Sequence, residues 1–363
     1  MVEIICSNCH QKYPDDGLPF RCPVCGGVYD VVRIDPSDLS ASSPDLPGIW
    51  RYQAAFGLPA QAPVLTLGEG DTPLLWGKAF GRQVAFKLEY QNPTGSFKDR
   101  GSAVIASLCL AHRVSQAVED SSGNAGASFA AYAARAGLQA KIFVPASASG
   151  PKRAQIEAYG AQVVPVPGPR SNAAEAVQRA AQQGDVYASH AYLPHGLLGY
   201  ATIAYELIEQ LNQPPGTVIA PVGQGNLILG IERGFSALKA AGRIPRSPCL
   251  VGVQARACAP LWAVSKYGTA GLAWVTEGET LAEGVRLKHP VRGDQVLKAV
   301  EVSQGFFVAV EEQDILPGRD QLALQGLYVE PTSALVWDAL RQVVGNVPEP
   351  IVAILTGTGY KSQ

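Results

Sequence analysis

Asn92-Pro93-Thr94-Gly95-Ser96-Phe97-Lys98-Asp99-Arg100-Gly101 reads as a turn running into a helix, and the lysine within it decides how the rest of the chain is understood. Pro93 and Gly95 build the turn, Ser96 is expected to cap the helix, and the apolar run from Ala103 to Ala111 continues it. Lys98 then falls in the first helical turn. There the partial positive charge of the helix N-terminus favours the neutral amine over the ammonium. A neutral amine attacks an aldehyde carbon. Taken alone, the lysine reads equally as a solvated side chain beside an ordinary turn, so the choice falls to the motifs around it.

Moving outward, Ser121-Ser122-Gly123-Asn124-Ala125-Gly126 follows a short strand and precedes the helical stretch Ala127 to Ala136. Gly223-Gln224-Gly225-Asn226 joins the apolar strand Thr217 to Val222 to an apolar helix, an arrangement that aims bare backbone N–H groups at a phosphate. A third strand, Pro350 to Leu355, runs into Thr356-Gly357-Thr358-Gly359. In open α/β sheets ligands bind at the carboxyl ends of strands, and all three motifs fall at such ends.

Together with Gly68-Glu69-Gly70-Asp71-Thr72-Pro73-Leu74 and Tyr159-Gly160-Ala161, these motifs resemble the pyridoxal-phosphate enzymes of the tryptophan-synthase-β type, and within them the threonine-synthase group. The resemblance runs over most of the chain after the first thirty-odd residues. It implies a two-lobed, three-layer αβα parallel-sheet architecture (fold type II), with pyridoxal 5'-phosphate in the crevice between the lobes. Lys98 would be the Schiff-base lysine and acid–base group, Asn124 would donate to the cofactor's 3'-oxygen, Gly223, Gln224, Gly225 and Asn226 would cradle its phosphate, and Thr356 would meet its pyridine nitrogen. Ser122 and Gly123 would hold a substrate carboxylate. Lys152 and Arg100 are candidate partners for a substrate phosphate or carboxylate because both supply charge-assisted donors.

The amino-terminal stretch carries Cys6-x-x-Cys9 and Cys22-x-x-Cys25, a spacing that suits a tetrahedral four-cysteine zinc site. So short a segment cannot bury enough apolar surface to fold alone, and a structural metal would supply the missing stability. His10 is not needed as a ligand. Cys109, Cys249 and Cys258 have no ligand spacing and read as small packed residues.

After a Pro- and Ser-rich connector around Ser37 to Pro47, short β-branched runs alternate with Ala-rich amphipathic stretches, the sequence form of parallel βαβ units. Lys141 to Pro145, Gln162 to Val166 and Asp185 to Ala188 read as strands of a smaller lobe. Thr217 to Val222, Leu250 to Gln254 and Pro350 to Leu355 read as strands of a larger one. The expected division is a zinc ribbon at 1–34, a large lobe at 35–97 and 186–363, and a small lobe at 98–185.

With 363 residues and a formal charge of −2, the chain has no electrostatic footprint for nucleic acid or membrane, so a small amino-acid substrate is the expected partner. No apolar run approaches the ~20 residues a spanning helix needs, and the expected setting is cytoplasmic. The resemblance implies a homodimer and conversion of O-phospho-L-homoserine and water to L-threonine and phosphate. The family's arginine and Gly-Gln-Lys run has no counterpart in Ala191 to Thr202, where Tyr200 stands instead. That keeps two alternatives open: a related lyase or β-replacement enzyme acting on serine, threonine or O-phosphoserine, and a silent relative that binds a partner protein.

Overall fold

A computed structural model describes residues 2–40 and 43–362; positions 41 and 42 of the expected connector lie outside the described residues. Among the described residues the strands are β1 (Glu3–Cys6), β2 (Tyr29–Arg33), β3 (Leu74–Ala79), β4 (Arg82–Lys87), β5 (Gln116–Glu119), β6 (Gln139–Pro145), β7 (Gln162–Val166), β8 (Val186–Tyr187), β9 (Thr217–Pro221), β10 (Cys249–Ala255), β11 (Phe306–Val310) and β12 (Ile351–Ile354). They fall into two compact units. The first comprises residues 1–70 and 92–200, the second 71–91 and 201–362.

The first unit holds a parallel four-stranded sheet in the order β7-β6-β5-β8. Between its strands run the helices Asn124–Ala136, Pro151–Ala158 and Arg170–Gln182, as βαβ connections require. Along β6 full burial at every second residue marks one face turned to the core, where Ile142 and Val144 meet Ala127, Phe129, Ala130 and Ala133. The antiparallel pair β1–β2 belongs to this unit as well. Its segment packs Phe20 edge-on to Tyr187 and Tyr192, sets Tyr13 against His195, and lays the Arg21 guanidinium over the Tyr192 ring at 4.8 Å.

The second unit is built on a six-stranded sheet in the order β11-β10-β9-β12-β4-β3. Its central strands are buried along their whole length, which is why β9 and β12 read as continuous apolar runs rather than alternating ones. The sheet is parallel except at one edge, where β3 and β4 form a hairpin. Its two-residue turn, Phe80-Gly81, has positive φ at both positions, the geometry that matches strand twist. A phenylalanine is unusual there, and its ring packs on Trp337.

The chain therefore divides after 70, 91 and 200, where the sequence reading placed breaks after 34, 97 and 185. The ring contacts of the ribbon place it within the first unit. Hydrogen-bonded pairing with β12 draws the 74–87 hairpin into the second.

Candidate active site

In the first unit the lysine turn is held from both sides. Gly95 sits at φ 84° and its N–H donates to the Asn92 carbonyl at 2.7 Å. The Asn92 side-chain oxygen accepts from Gly70 N at 3.0 Å, tying the turn to the Gly68-Glu69-Gly70 motif. The buried Asp99 carboxylate accepts from Thr94 N at 2.7 Å, from the Thr94 hydroxyl at 2.6 Å and from Ser128 Oγ at 2.6 Å. Thus the residue after the lysine fixes the loop before it. Lys98 is the first residue of the helix Lys98–Ala111, and its ammonium lies 4.7 Å from the centre of the Phe97 ring.

The expected Ser96 cap is corrected here. Phe97 occupies the cap position with helical dihedrals and no side-chain cap bond, while the Ser96 hydroxyl is buried without a hydrogen-bond partner. The turn is fixed by Asp99 and Asn92, so a serine cap is not what starts this helix. Arg100 is fully buried. Against its backbone the helix His195–Leu211 makes a close approach: a Cβ on Gly199 would lie 2.1 Å from the Arg100 carbonyl oxygen. Tyr200, also buried, sets its ring over Gly101 and 5.2 Å from Phe97.

Ser121 to Asn124 form the bend between β5 and the next helix. Gly123 N donates to Ser121 Oγ at 3.2 Å, and Asn124 opens the helix Asn124–Ala136. Gly126 has no room for a side chain, since a Cβ would stand 1.8 Å from the Ser121 carbonyl oxygen. Ser122, Gly123 and Asn124 remain half-buried. Lys152, half-buried in the helix Pro151–Ala158, belongs to an element tied to the lysine turn by Gln155 Nε2 donating to the Thr94 carbonyl at 3.3 Å.

Three groups that the motifs do not point to gather at the end of β5. Glu119 is fully buried and pairs through Oε1 with His190 Nδ1; its Oε2 has no hydrogen-bond partner. Burial pushes the Glu119 carboxyl up to about 8, against the pull of the Lys98 charge. Burial likewise holds His190 well below the usual imidazole range, with Lys98 acting in the same direction. Asp120, raised by burial and by the Glu119 charge, accepts from the Tyr187 hydroxyl at 2.5 Å. The available sequence signal was an acidic pair standing directly before Ser-Ser-Gly-Asn at the end of an apolar strand.

In the second unit the Gly223–Asn226 turn leads from β9 into the helix Asn226–Ala240, with Gly225 in the left-handed region at φ 83°. A Cβ on Gly225 would meet a Val296 methyl at 2.4 Å, and one on Gly223 would meet the Gly284 carbonyl oxygen at 2.6 Å. The Gln224 side chain accepts from Val291 N at 2.9 Å and is engaged in packing the adjacent loop. Thr356 follows the neighbouring strand β12. Its N–H donates to Ser333 Oγ at 2.9 Å while its buried hydroxyl has no partner.

These groups fit pyridoxal phosphate in kind. The first unit offers an amine at a helix start; the second offers a bare-backbone phosphate turn and an orphaned buried hydroxyl suited to a ring nitrogen. The amino-terminal cysteines fit zinc equally well. Their four sulfurs lie within 4.8 Å of one another, and their two turns are closed by His10 N donating to Cys6 O at 3.0 Å and Gly26 N to Cys22 O at 2.8 Å.

Residues 65–357 match the family model described as pyridoxal-phosphate dependent enzyme, and the chain belongs to that family. Within it the chain is similar to proteins named threonine synthase: 31% identical to that of Methanosarcina acetivorans over 98% of this chain and 91% of that protein, and 32% identical to that of Methanocaldococcus jannaschii over 98% and 92%. Among solved structures it is similar to a threonine deaminase from T.th., with TM-score 0.67 and 26% identity over 79% of this chain and 92% of that one. The fold is that of the type II pyridoxal-phosphate enzymes. No described helix is long and apolar enough to cross a membrane.

Proposed function

We propose that this protein is a threonine synthase, converting O-phospho-L-homoserine and water to L-threonine and phosphate. The observation that carries the reading is near full-length similarity, amino-terminal ribbon included, to two archaeal proteins of that name. When bound, pyridoxal phosphate supplies an electron sink for the carbanion formed at the substrate Cα. In the first unit Lys98 would anchor the cofactor and carry protons from Cα and to and from Cβ and Cγ as phosphate leaves and water adds. Asn124 would orient the cofactor's 3'-oxygen, Ser122 and Gly123 would bind the substrate carboxylate, and Lys152 would meet an anionic group of the substrate. In the second unit the backbone of Gly223, Gln224, Gly225 and Asn226 would take the cofactor phosphate. A neutral Thr356 hydroxyl at the ring nitrogen would keep the sink weak, which suits elimination and hydration better than transamination. Zinc on Cys6, Cys9, Cys22 and Cys25, and a cytoplasmic homodimer, belong to the same proposal.

Tyr200 favours a second reading. It stands in place of the expected Gly-Gln-Lys run and is buried over Gly101, supplying no cation for a phosphate. The rival is a lyase or β-replacement enzyme taking serine, threonine or O-phosphoserine.

The test is to incubate cofactor-loaded protein with O-phospho-L-homoserine and follow amino acid and phosphate together. Equal amounts of threonine and phosphate are expected, and Lys98→Ala should abolish both along with the absorbance of the lysine-bound cofactor. Turnover of serine or O-phosphoserine but not of phosphohomoserine would select the rival.

A further inference from the structure

Lys98 must be neutral to bond a carbonyl and must accept and return protons afterwards. A bare ammonium in a largely buried setting has no water to take its proton, so a second group has to exchange it. The geometry points to Glu119. We propose that Glu119, oriented by His190, is a positioning residue that acts through Lys98 by exchanging one proton with its amine. This deepens the proposed function, resting on Lys98 as cofactor anchor.

Three observations carry it. Glu119 ends β5 five residues before Asn124, is fully buried, and has one oxygen pinned by His190 while the other is free of hydrogen bonds. Lys98 is the foremost charge acting on both Glu119 and His190. The two helices that begin at Lys98 and Asn124 are locked together by Ser128 bonding Asp99 and Ser102. The remaining groups around the pair are Asp120, bonded to Tyr187; Arg170, whose charge favours the ionised carboxylate; and Tyr200, itself under the Glu119 field.

The exchange conserves charge. An ammonium beside a carboxylate becomes an amine beside a carboxylic acid: the Nζ–H bond breaks, an O–H bond forms on Glu119, and no net charge is created in the interior. In a poorly solvated site that balance is what keeps the step accessible. His190, neutral, fixes the carboxyl's orientation and takes no part in the net transfer.

The test uses two readouts that do not involve substrate. The rate at which cofactor-free protein captures pyridoxal phosphate, followed by absorbance across pH, reports the neutral fraction of Lys98. Glu119→Gln removes the ammonium's counter-charge, so the midpoint should move down by about 1–3 pH units, and Glu119→Asp should restore it. A purely structural role would lower the rate at every pH and leave the midpoint in place, which overturns the proposal. Should Glu119→Gln fail to fold, the infrared difference between cofactor-free and cofactor-loaded wild-type protein serves: a gain of protonated-carboxyl absorbance on loading is expected, and no gain overturns the proposal. Neither readout depends on phosphohomoserine, so failure to make threonine would leave the inference standing, and the reverse.

Discussion

At the scale of single residues, Thr356 is the clearest case of a group whose presence the fold alone does not explain. Its buried hydroxyl makes no hydrogen bond, and burying an unsatisfied polar group costs about 1–3 kcal/mol. Thr356→Val keeps the shape and removes the polar atom. The cofactor-free protein should therefore be unchanged or more stable by up to about 1 kcal/mol, as read by denaturant midpoint, while affinity for pyridoxal phosphate falls. A loss of stability with unchanged cofactor affinity would make Thr356 a structural cap instead. Most of the candidate site was legible at this scale because Lys98, Asn124, Gly223, Gly225 and Thr356 lie in local motifs whose chemistry is carried by neighbours in sequence. Glu119 was not, since its significance comes from burial and from His190, which stands 71 positions away. The Ser96 cap failed for a related reason: Asp99, reaching back to Thr94, took over the job that local rules assign to serine.

At the scale of elements, strands that end in glycine motifs were readable and edge strands were not. β7 has the expected bounds, and β9, β10 and β12 differ from theirs by a residue at one or both ends. β11 is as apolar as β9, yet no motif follows it to draw attention. The β3–β4 hairpin leaves Leu75 and Trp76 exposed, so its pattern says little about a core. The hairpin is secured within its unit by a buried ion pair: Lys87 Nζ lies 2.6 Å from Glu206 Oε2 and also donates to the Thr72 carbonyl at 2.7 Å and to Gln210 at 3.0 Å. Glu206 in turn accepts from Asp71 N at 3.0 Å. Glu206→Gln should lower stability by about 3–5 kcal/mol, because it strands a buried ammonium. The double replacement Lys87→Met with Glu206→Leu should recover most of that loss in a thermal or denaturant measurement. Additive losses in the double variant would mean that packing, rather than the pairing of charge, dominates at this position.

At the scale of the molecule, the ribbon is integral to the first unit. Phe20, Tyr13 and Arg21 bear on Tyr187, Tyr192 and His195, flanking the segment that carries His190. Removing a structural metal from four thiolates should therefore destabilise more than thirty residues. Protein purified without added metal is expected to contain one zinc per chain, and stripping it with a chelator should lower the melting temperature of the first unit and weaken protection of Tyr187 to His195 in hydrogen exchange. Cys22→Ala should do the same. Metal content well below one per chain, with protection unchanged, would assign the ribbon's order to its ring contacts alone. The sequence reading separated this segment because spacing identifies a metal knuckle but says nothing about which surface its rings will meet.

The position of β12 in the second sheet has a consequence for synthesis. β12 lies between β9 and β4, so the hairpin made early in the chain pairs with a strand that follows about 260 residues later. At ordinary elongation rates the ribosome needs roughly 10–50 s to cover that distance. Throughout that interval β4 has an open edge, and the nascent chain offers it no native neighbour on that side. During translation, then, this edge is where a chaperone would be needed and where a stalled chain would first pair with the wrong strand.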